Sequence, residues 1–351
     1  MYKSVTRPTL IINEAACRKN IRRMAEKAIA SGVLFRPHFK THQSLKVAGW
    51  FREEGVEAIT VSSAEMAMKF AGDGWKDITL AFPVNPREIP VLDALAAKVS
   101  LNLLVDSPEV ALMLSRKMNN PAGLFIEIDT GCGRSGLKPV QEDAIAKTAG
   151  LISATRHISF RGFLTHSGET YRASDPGRVR EIYAHTVSVL GDLKAVYPDA
   201  IISIGDTPTC SIIENLGEVD EIRPGNFVFY DLMQMAIGSC SIGDIAVSVA
   251  CPVAGIYPDR CEVLIYGGAV HLSKEYLGDK ERHFGLAGIY GPEGQIVPYA
   301  GTRVVSLSQE HGIIRTDADM LSKLKHGDLL GVLPVHSCLT ANLLQHNTLI
   351  V

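Results

Sequence analysis

Apolar positions along the first two thirds of the chain switch repeatedly between two periods. Cys17, Ile21, Met24 and Ala28 recur at helical spacing behind Asn13, which predicts a helix with an asparagine cap. Short β-prone runs then follow at Val33–Phe39, Ala58–Val61, Ile78–Phe82, Ser100–Val105, Leu124–Ile128, Ile158–Thr165, Ile201–Ile204 and Val219–Ile222. Helix-like stretches separate them: Ser44–Glu54 stops at Gly55, Ser63–Ala71 stops at Gly72, and Ser107-Pro108 supplies a cap with proline in the first turn. Strands buried on both faces and alternating with helices predict a closed parallel barrel rather than an open sheet.

Beyond Gln234 the texture changes. DIAVSVACPVAGIYP, EVLIYGGAV and TRVVSLS are short Val/Ile-rich runs broken by Gly and Pro, the pattern of antiparallel strands. The expected fold is therefore α/β: a (β/α)8 TIM-type barrel over residues 1–234, followed by a mostly antiparallel β domain over residues 235–351 that the first few residues are free to join. No low-complexity linker and no repeat of fixed period interrupts this scheme.

Composition adds exclusions. The 351 residues suffice for a barrel of about 250 residues plus a smaller module. A net charge of −3 gives no electrostatic reason to expect nucleic acid, so the expected partner is a small molecule. The N-terminus lacks a basic segment followed by an apolar one, and no apolar run approaches the ~18 residues of a membrane span, so a cytoplasmic protein without membrane association is expected. Seven scattered cysteines (Cys17, Cys132, Cys210, Cys240, Cys251, Cys261, Cys338) read as reduced thiols.

In such a barrel, chemistry belongs at the C-terminal ends of the strands. Lys40 follows the first strand in RPHFKTHQS, Arg134 the fifth in IDTGCGRSG, His166 closes the sixth in FLTHSGETY, and Thr207 to Thr209 follow the seventh in SIGDTPT. Partial burial and positive neighbours in the His-rich segment would lower the Lys40 amine pKa, which suits a Schiff-base lysine, although most strand-end lysines taken alone are simply solvated. The Gly205–Thr209 turn offers hydroxyls and helix N-terminal N–H groups to a phosphate, but a plain helix cap has the same residues. Arg134 in its Gly-rich turn can donate a fork of hydrogen bonds to an anionic oxygen, or form an ordinary salt bridge. His336 and Cys338 in VLPVHSCLTAN, read as an extended segment, project to one side. Two ligands make an open metal site completed by water and substrate, or else a buried cysteine beside a structural histidine. His311 in SQEHG is either an auxiliary group or ordinary structure.

Taken in order, RPHFKTHQS, DTGCGRSG, THSGETY, SIGDTPT, EIRPGNFVFYDLMQ and VHSC resemble the fold-type III pyridoxal phosphate enzymes, in the branch of D-serine dehydratase and D-threonine aldolase with an alanine racemase-like barrel. The resemblance spans nearly the whole chain. It implies that Lys40 carries pyridoxal 5'-phosphate, that Arg134 contacts the phenolic oxygen, that Thr207 and Thr209 cup the phosphate, and that His166 packs near the ring. It further implies that Tyr171 lies near the substrate, that Arg223 and Tyr230 surround the cofactor, and that Lys40, His166 and Tyr171 form the catalytic set. His336 and Cys338 would hold a divalent metal, zinc first and manganese or magnesium as alternatives, and the chain would form a homodimer.

The activity implied is a lyase on D-3-hydroxy amino acids. A D-serine dehydratase-like reaction leads, since the Cys in the metal pair matches the zinc-dependent dehydratases, and a D-threonine aldolase-like cleavage is the alternative. A racemase would need a second base, and a non-catalytic pyridoxal phosphate-binding protein would leave the long C-terminal domain without purpose.

Overall fold

A computed structural model describes residues 2 and 4–351 apart from 279 and 292–294. The chain forms two compact units, one of residues 21–225 and the other of residues 1–20 with 226–351. The first strand, β1 (Thr9–Ile12), belongs to the second of these: its partner in the ladder is residues 247–250. The boundary between units falls inside the helix Glu14–Ser31, whose first turn is closed by Asn13 accepting the Ala16 N–H at 2.9 Å.

The first unit is an eight-stranded parallel sheet of β2 (Leu34–Phe35), β3 (Ala58–Val61), β4 (Asp77–Pro83), β5 (Ser100–Val105), β6 (Ala122–Glu127), β7 (Ile158–Thr165), β8 (Ile201–Ile204) and β9 (Glu221–Ile222), in the order β2-β9-β8-β7-β6-β5-β4-β3. All eight expected strands are present. The ring is completed beyond the short β2 by a parallel bridge between His38 and Thr60. Phe39 N–H donates to the Thr60 carbonyl at 2.8 Å, and Thr60 N–H to that of Pro37 at 2.9 Å. The expected caps also form, with Ser44, Ser63 and Ser107 each accepting a first-turn N–H of the helices Leu45–Glu53, Ala64–Gly72 and Pro108–Lys117.

The barrel interior is unusually polar. Arg36, 2% exposed, bonds Glu221 and Asp77 at 2.6 Å each. Glu221 also accepts from Ser203 Oγ at 2.6 Å, and Asn102 donates to Thr79. An apolar cluster of Leu104, Phe125 and Leu164 adjoins this layer. Buried charges persist only when paired, so the network rigidifies the strands whose ends carry the site.

In the second unit, β10 (Val247–Tyr257), β11 (Glu262–Tyr266), β12 (Gly285–Tyr290), β13 (Ile296–Leu307), β14 (His311–Arg315) and β15 (Leu329–Pro334) pair antiparallel in a closed ring, because β10 meets both β15 and β11. β1 adds to β10, and β16 (Thr348–Ile350) runs parallel to β1. Among the described residues no helix is long and apolar enough to cross a membrane, and none of the seven cysteines forms a disulfide.

Candidate active site

Five neighbouring strand ends deliver the rim residues. Past β2, Phe39 is fully buried against Phe51, Phe70 and Trp75 at centroid distances of 5.0, 4.9 and 5.1 Å, which anchors the turn that presents Lys40. The Lys40 side chain is exposed rather than partly buried. The two flanking histidines also part company. His42 turns into the aromatic cluster, 4.5 Å from Phe39, and burial drives its pKa to about 3. His38 faces the rim, where burial and then the charges of Lys40, Arg223 and Arg134 hold it well below the usual imidazole value. Both rings are neutral at pH 7.

Past β6, residues 129–136 form an excursion tied at its neck by the Ile128–Leu137 bridge. Asp129 Oδ1 accepts the N–H groups of Gly131 and Gly133 at 3.0 and 2.9 Å. Gly136 has φ +101°, and a Cβ there would lie 2.9 Å from the Asp129 nitrogen, so the loop admits only glycine. Arg134 projects from it into solvent. The reading from sequence missed Glu127, the last residue of β6 and 3% exposed. One carboxylate oxygen accepts from Ser135 Oγ at 3.0 Å; the other is buried without a hydrogen bond among the described residues. Burial raises its pKa, opposed by the Ser135 hydrogen bond and the Arg134 charge. Its signal was a lone carboxylate closing the apolar run AGLFIE.

Past β7, His166 places Nδ1 against the Gly205 carbonyl. A carbonyl only accepts, so Nδ1 carries the proton and Nε2 keeps its lone pair. Burial, the largest influence, and the Lys40 charge bring this ring to about 3 despite that hydrogen bond. Tyr171 lies 6.0 Å from His166, and its hydroxyl accepts the Thr207 N–H at 3.2 Å. Past β8, Asp206 caps the helix Thr207–Ile212, accepting the Thr209 N–H at 2.8 Å and the Thr170 hydroxyl at 2.9 Å, and burial raises its carboxyl to about 6. Two of the N–H groups assigned to a phosphate are thus engaged within the chain. The Thr209 hydroxyl is different: it lies near Asp206 but is buried without a well-formed hydrogen bond among the described residues.

Past β9, Arg223 is 3% exposed. Its Nε donates to Ser203 Oγ at 2.7 Å and its Nη2 to the Thr165 carbonyl at 2.6 Å. Burial lowers it to about 10, so it stays charged. Gly225 packs where a Cβ would stand 3.0 Å from the His38 carbonyl, fitting the turn after Arg223 closely over the β2 end.

The second unit holds its own polar cluster. The chain leaves β15 and turns at His336 into the helix Ser337–Leu343, so Cys338 sits in a first helical turn rather than on an extended segment. The two side chains still meet. Burial would lower the His336 pKa, but a hydrogen bond to Cys338 and the charges of Cys338, Asp231 and Glu275 raise it to about 9. A sulfur and an imidazole held in contact offer the donor types that a thiophilic divalent cation such as zinc prefers. Among the described residues no group of three or more His, Cys, Asp or Glu forms a closed metal cage. Tyr230, 1% exposed with φ +48°, belongs to this unit, next to Asp231. His311 is exposed on β14 opposite Tyr266, as ordinary sheet structure.

Residues 12–232 match the alanine racemase N-terminal domain, and residues 246–350 match the putative serine dehydratase domain. The chain belongs to this family of fold-type III pyridoxal phosphate lyases. The D-serine dehydratase of Dictyostelium discoideum is 30% identical, covering 95% of this chain and 90% of its own length. The D-threo-3-hydroxyaspartate dehydratase of Delftia sp. is also 30% identical over 95% of this chain and 91% of its own. The D-threonine aldolase of Arthrobacter sp. is 24% identical over 99% of this chain and 89% of its own. The solved Delftia dehydratase superposes with a TM-score of 0.88 at 28% identity, covering 97% of this chain and 93% of its own. That enzyme has also been solved as a histidine-to-alanine mutant and, two positions further on, as a cysteine-to-alanine mutant in a metal-free form.

The lyase family's cofactor fits the rim on this structure's own terms. Three cations, Lys40, Arg134 and Arg223, converge electrostatically on His38 and His166, and the buried Thr209 hydroxyl beside Asp206 has no well-formed hydrogen bond among the described residues. An anionic phosphorylated ring would answer both conditions.

Proposed function

We propose that this lyase removes water from a D-3-hydroxy amino acid, with Lys40 bearing pyridoxal phosphate and with His336 and Cys338 holding zinc, to yield a 2-keto acid and ammonia. The observation that carries the reading is the convergence of His336 and Cys338 in a chain that also presents Lys40 at a cationic barrel rim. The His-x-Cys spacing equals that of the two residues mutated in the Delftia enzyme, one of which gave a metal-free form. Thiolate and imidazole favour zinc over manganese or magnesium.

When bound, pyridoxal phosphate supplies an electron sink for charge at Cα, and a divalent metal supplies a Lewis acid for the β-hydroxyl. The chain's own groups do the rest. Arg134 and Arg223 supply fixed positive charge for the phosphate and the ring oxygen. Thr207 and Thr209 offer hydroxyls to the phosphate, and Tyr230 helps enclose the ring. His38 and His166 stay neutral, so they pack and orient without adding charge. Lys40 takes the α-proton as base, with Tyr171 beside His166 at the substrate. The β-hydroxyl departs as water, and the released aminoacrylate hydrolyses to keto acid and ammonia.

The aldolase reading uses the same residues with proton loss from the β-hydroxyl and Cα–Cβ cleavage. The higher identity of the two dehydratases favours dehydration. The seven unpaired-by-disulfide cysteines fit a cytoplasmic setting, and a homodimer is the expected assembly, checked by light scattering. The deciding experiment gives the cofactor- and zinc-loaded protein D-serine, D-threonine and D-threo-3-hydroxyaspartate separately, with chelator controls. Chelator-sensitive keto acid and ammonia support the proposal; glycine and an aldehyde replace it with the aldolase reading.

A further inference from the structure

We propose that Asn226, aligned by Asp231, positions the Cys338 sulfur for metal binding; this rests on the metal reading above. The three residues and Ser337 form a buried knot in the second unit, with Asn226, Asp231 and Ser337 at 4%, 1% and 0% exposure. Asn226 Nδ2 lies 2.6 Å from Asp231 Oδ2, 3.0 Å from Ser337 Oγ and 3.4 Å from Cys338 Sγ, so its two N–H groups are shared among three acceptors. Asp231 Oδ2 also accepts the Ser337 backbone N–H at 2.9 Å and its hydroxyl at 3.1 Å, while Oδ1 accepts the Gln234 N–H at 3.0 Å.

The chemistry of the partners fixes the direction of the amide. A carboxylate only accepts, so the Asn226 atom beside Asp231 is the NH2 nitrogen, and that same nitrogen faces the sulfur. Asn226 Oδ1 is buried with no hydrogen bond among the described residues. Burying an amide oxygen unpaired is costly, so the side chain is held entirely through its NH2 end. The amide nitrogen facing Cys338 Sγ restrains where the sulfur sits beside His336. Asp231 then serves two purposes at once, since it ties the backbone at Ser337 and orients the group that touches Cys338. Partners of this kind around a ligand typically change metal affinity by about 10- to 100-fold.

Asn226 is the residue to test, because Asp231 also caps a helix. Wild-type protein, Asn226→Ala, Cys338→Ala and the double variant are stripped with chelator and titrated with cobalt(II) and with zinc, following heat release and the thiolate-to-cobalt charge-transfer absorption. The expected result is that Asn226→Ala weakens binding by about 10- to 100-fold and alters the charge-transfer band, while the double variant matches Cys338→Ala within about twofold, as coupled residues do. Asn226→Ser, which restores a donor, recovers part of the affinity and stands in if the alanine variant does not fold. Wild-type affinity and band in Asn226→Ala, or a loss that adds fully to that of Cys338→Ala, overturns the proposal. Equal cobalt binding by wild type and Cys338→Ala, without a charge-transfer band in either, instead overturns the metal reading on which it rests.

Discussion

His42→Leu should make the protein less sensitive to acid while leaving the barrel rim intact. In the folded chain the ring is enclosed by Phe39, Phe51 and Phe70, its Nδ1 lies 3.1 Å from the Ser44 nitrogen and 3.2 Å from the Ser44 carbonyl oxygen, and Nε2 is buried without a partner among the described residues. Its pKa is therefore about 3, against ~6.5 in the unfolded chain. Because the folded value is the lower one, the unfolded state takes up the proton first. The neutral ring costs nothing above pH 6.5, and stability falls as pH drops from there toward 3 by about 1.4 kcal/mol per unit. Between pH 7.5 and 4.5 the loss from this one residue is about 2.6 kcal/mol. His166 acts in the same direction, while Asp206, raised to about 6, gains stability as pH falls through 6 and offsets much of it. The total pH curve therefore hides His42, and the difference between wild type and variant isolates it. At pH 7.5 the leucine variant should be about 1–3 kcal/mol less stable, since the Ser44 backbone loses its hydrogen-bond partner. By pH 4.5 that gap should close or reverse by the same 2.6 kcal/mol. Urea midpoints at four pH values, with unchanged slopes, measure it. A gap that stays constant with pH refutes the assignment of a buried neutral ring.

Lys40→Ala should abolish both the visible absorbance of bound pyridoxal phosphate and the borohydride-fixed cofactor adduct; a surviving reducible adduct in that variant would place the attachment elsewhere. Glu221→Ala should destabilise the barrel by about 3–5 kcal/mol in urea titrations, because Arg36 then loses its fully buried carboxylate and Ser203 loses its acceptor; a cost below about 1 kcal/mol would mean that Asp77 alone satisfies Arg36. Gly136→Ala should cost about 1–3 kcal/mol from its left-handed backbone and the contact with Asp129, and should weaken cofactor binding by disturbing the loop that carries Arg134, read by dialysis against free cofactor.

What the sequence disclosed follows from the range of the interactions involved. Parallel barrel strands are buried on both faces, so each is a self-contained apolar run, and all eight could be placed from local pattern alone. The same holds for Lys40, Arg134, His166 and Thr207, because a polar residue just past such a run is carried to the rim by the strand itself. Closure was not local: it depends on His38 bridging to Thr60 beyond the two-residue β2. Nor could pattern separate His38 from His42, since the turn between them sends one ring to the rim and the other into the aromatic cluster.

The residues that hold the site's side chains were the least visible. Glu127 looked like the polar end of a strand, although its position beside the Arg134 loop gives it a role only that loop's return can create. Asn226 and Asp231 meet Ser337 across 111 and 106 positions. His336 and Cys338 were found by their spacing, yet that spacing was taken for a strand's alternation, whereas the chain turns into a helix there and the pair converges for a different reason. Two residues separated by one position stay close in space whether the backbone is extended or helical, which is why this pair was visible in the sequence. The groups that aim the pair have no such tether, so their identity appears only once the fold has brought a carboxylate, an amide and a sulfur within hydrogen-bonding distance.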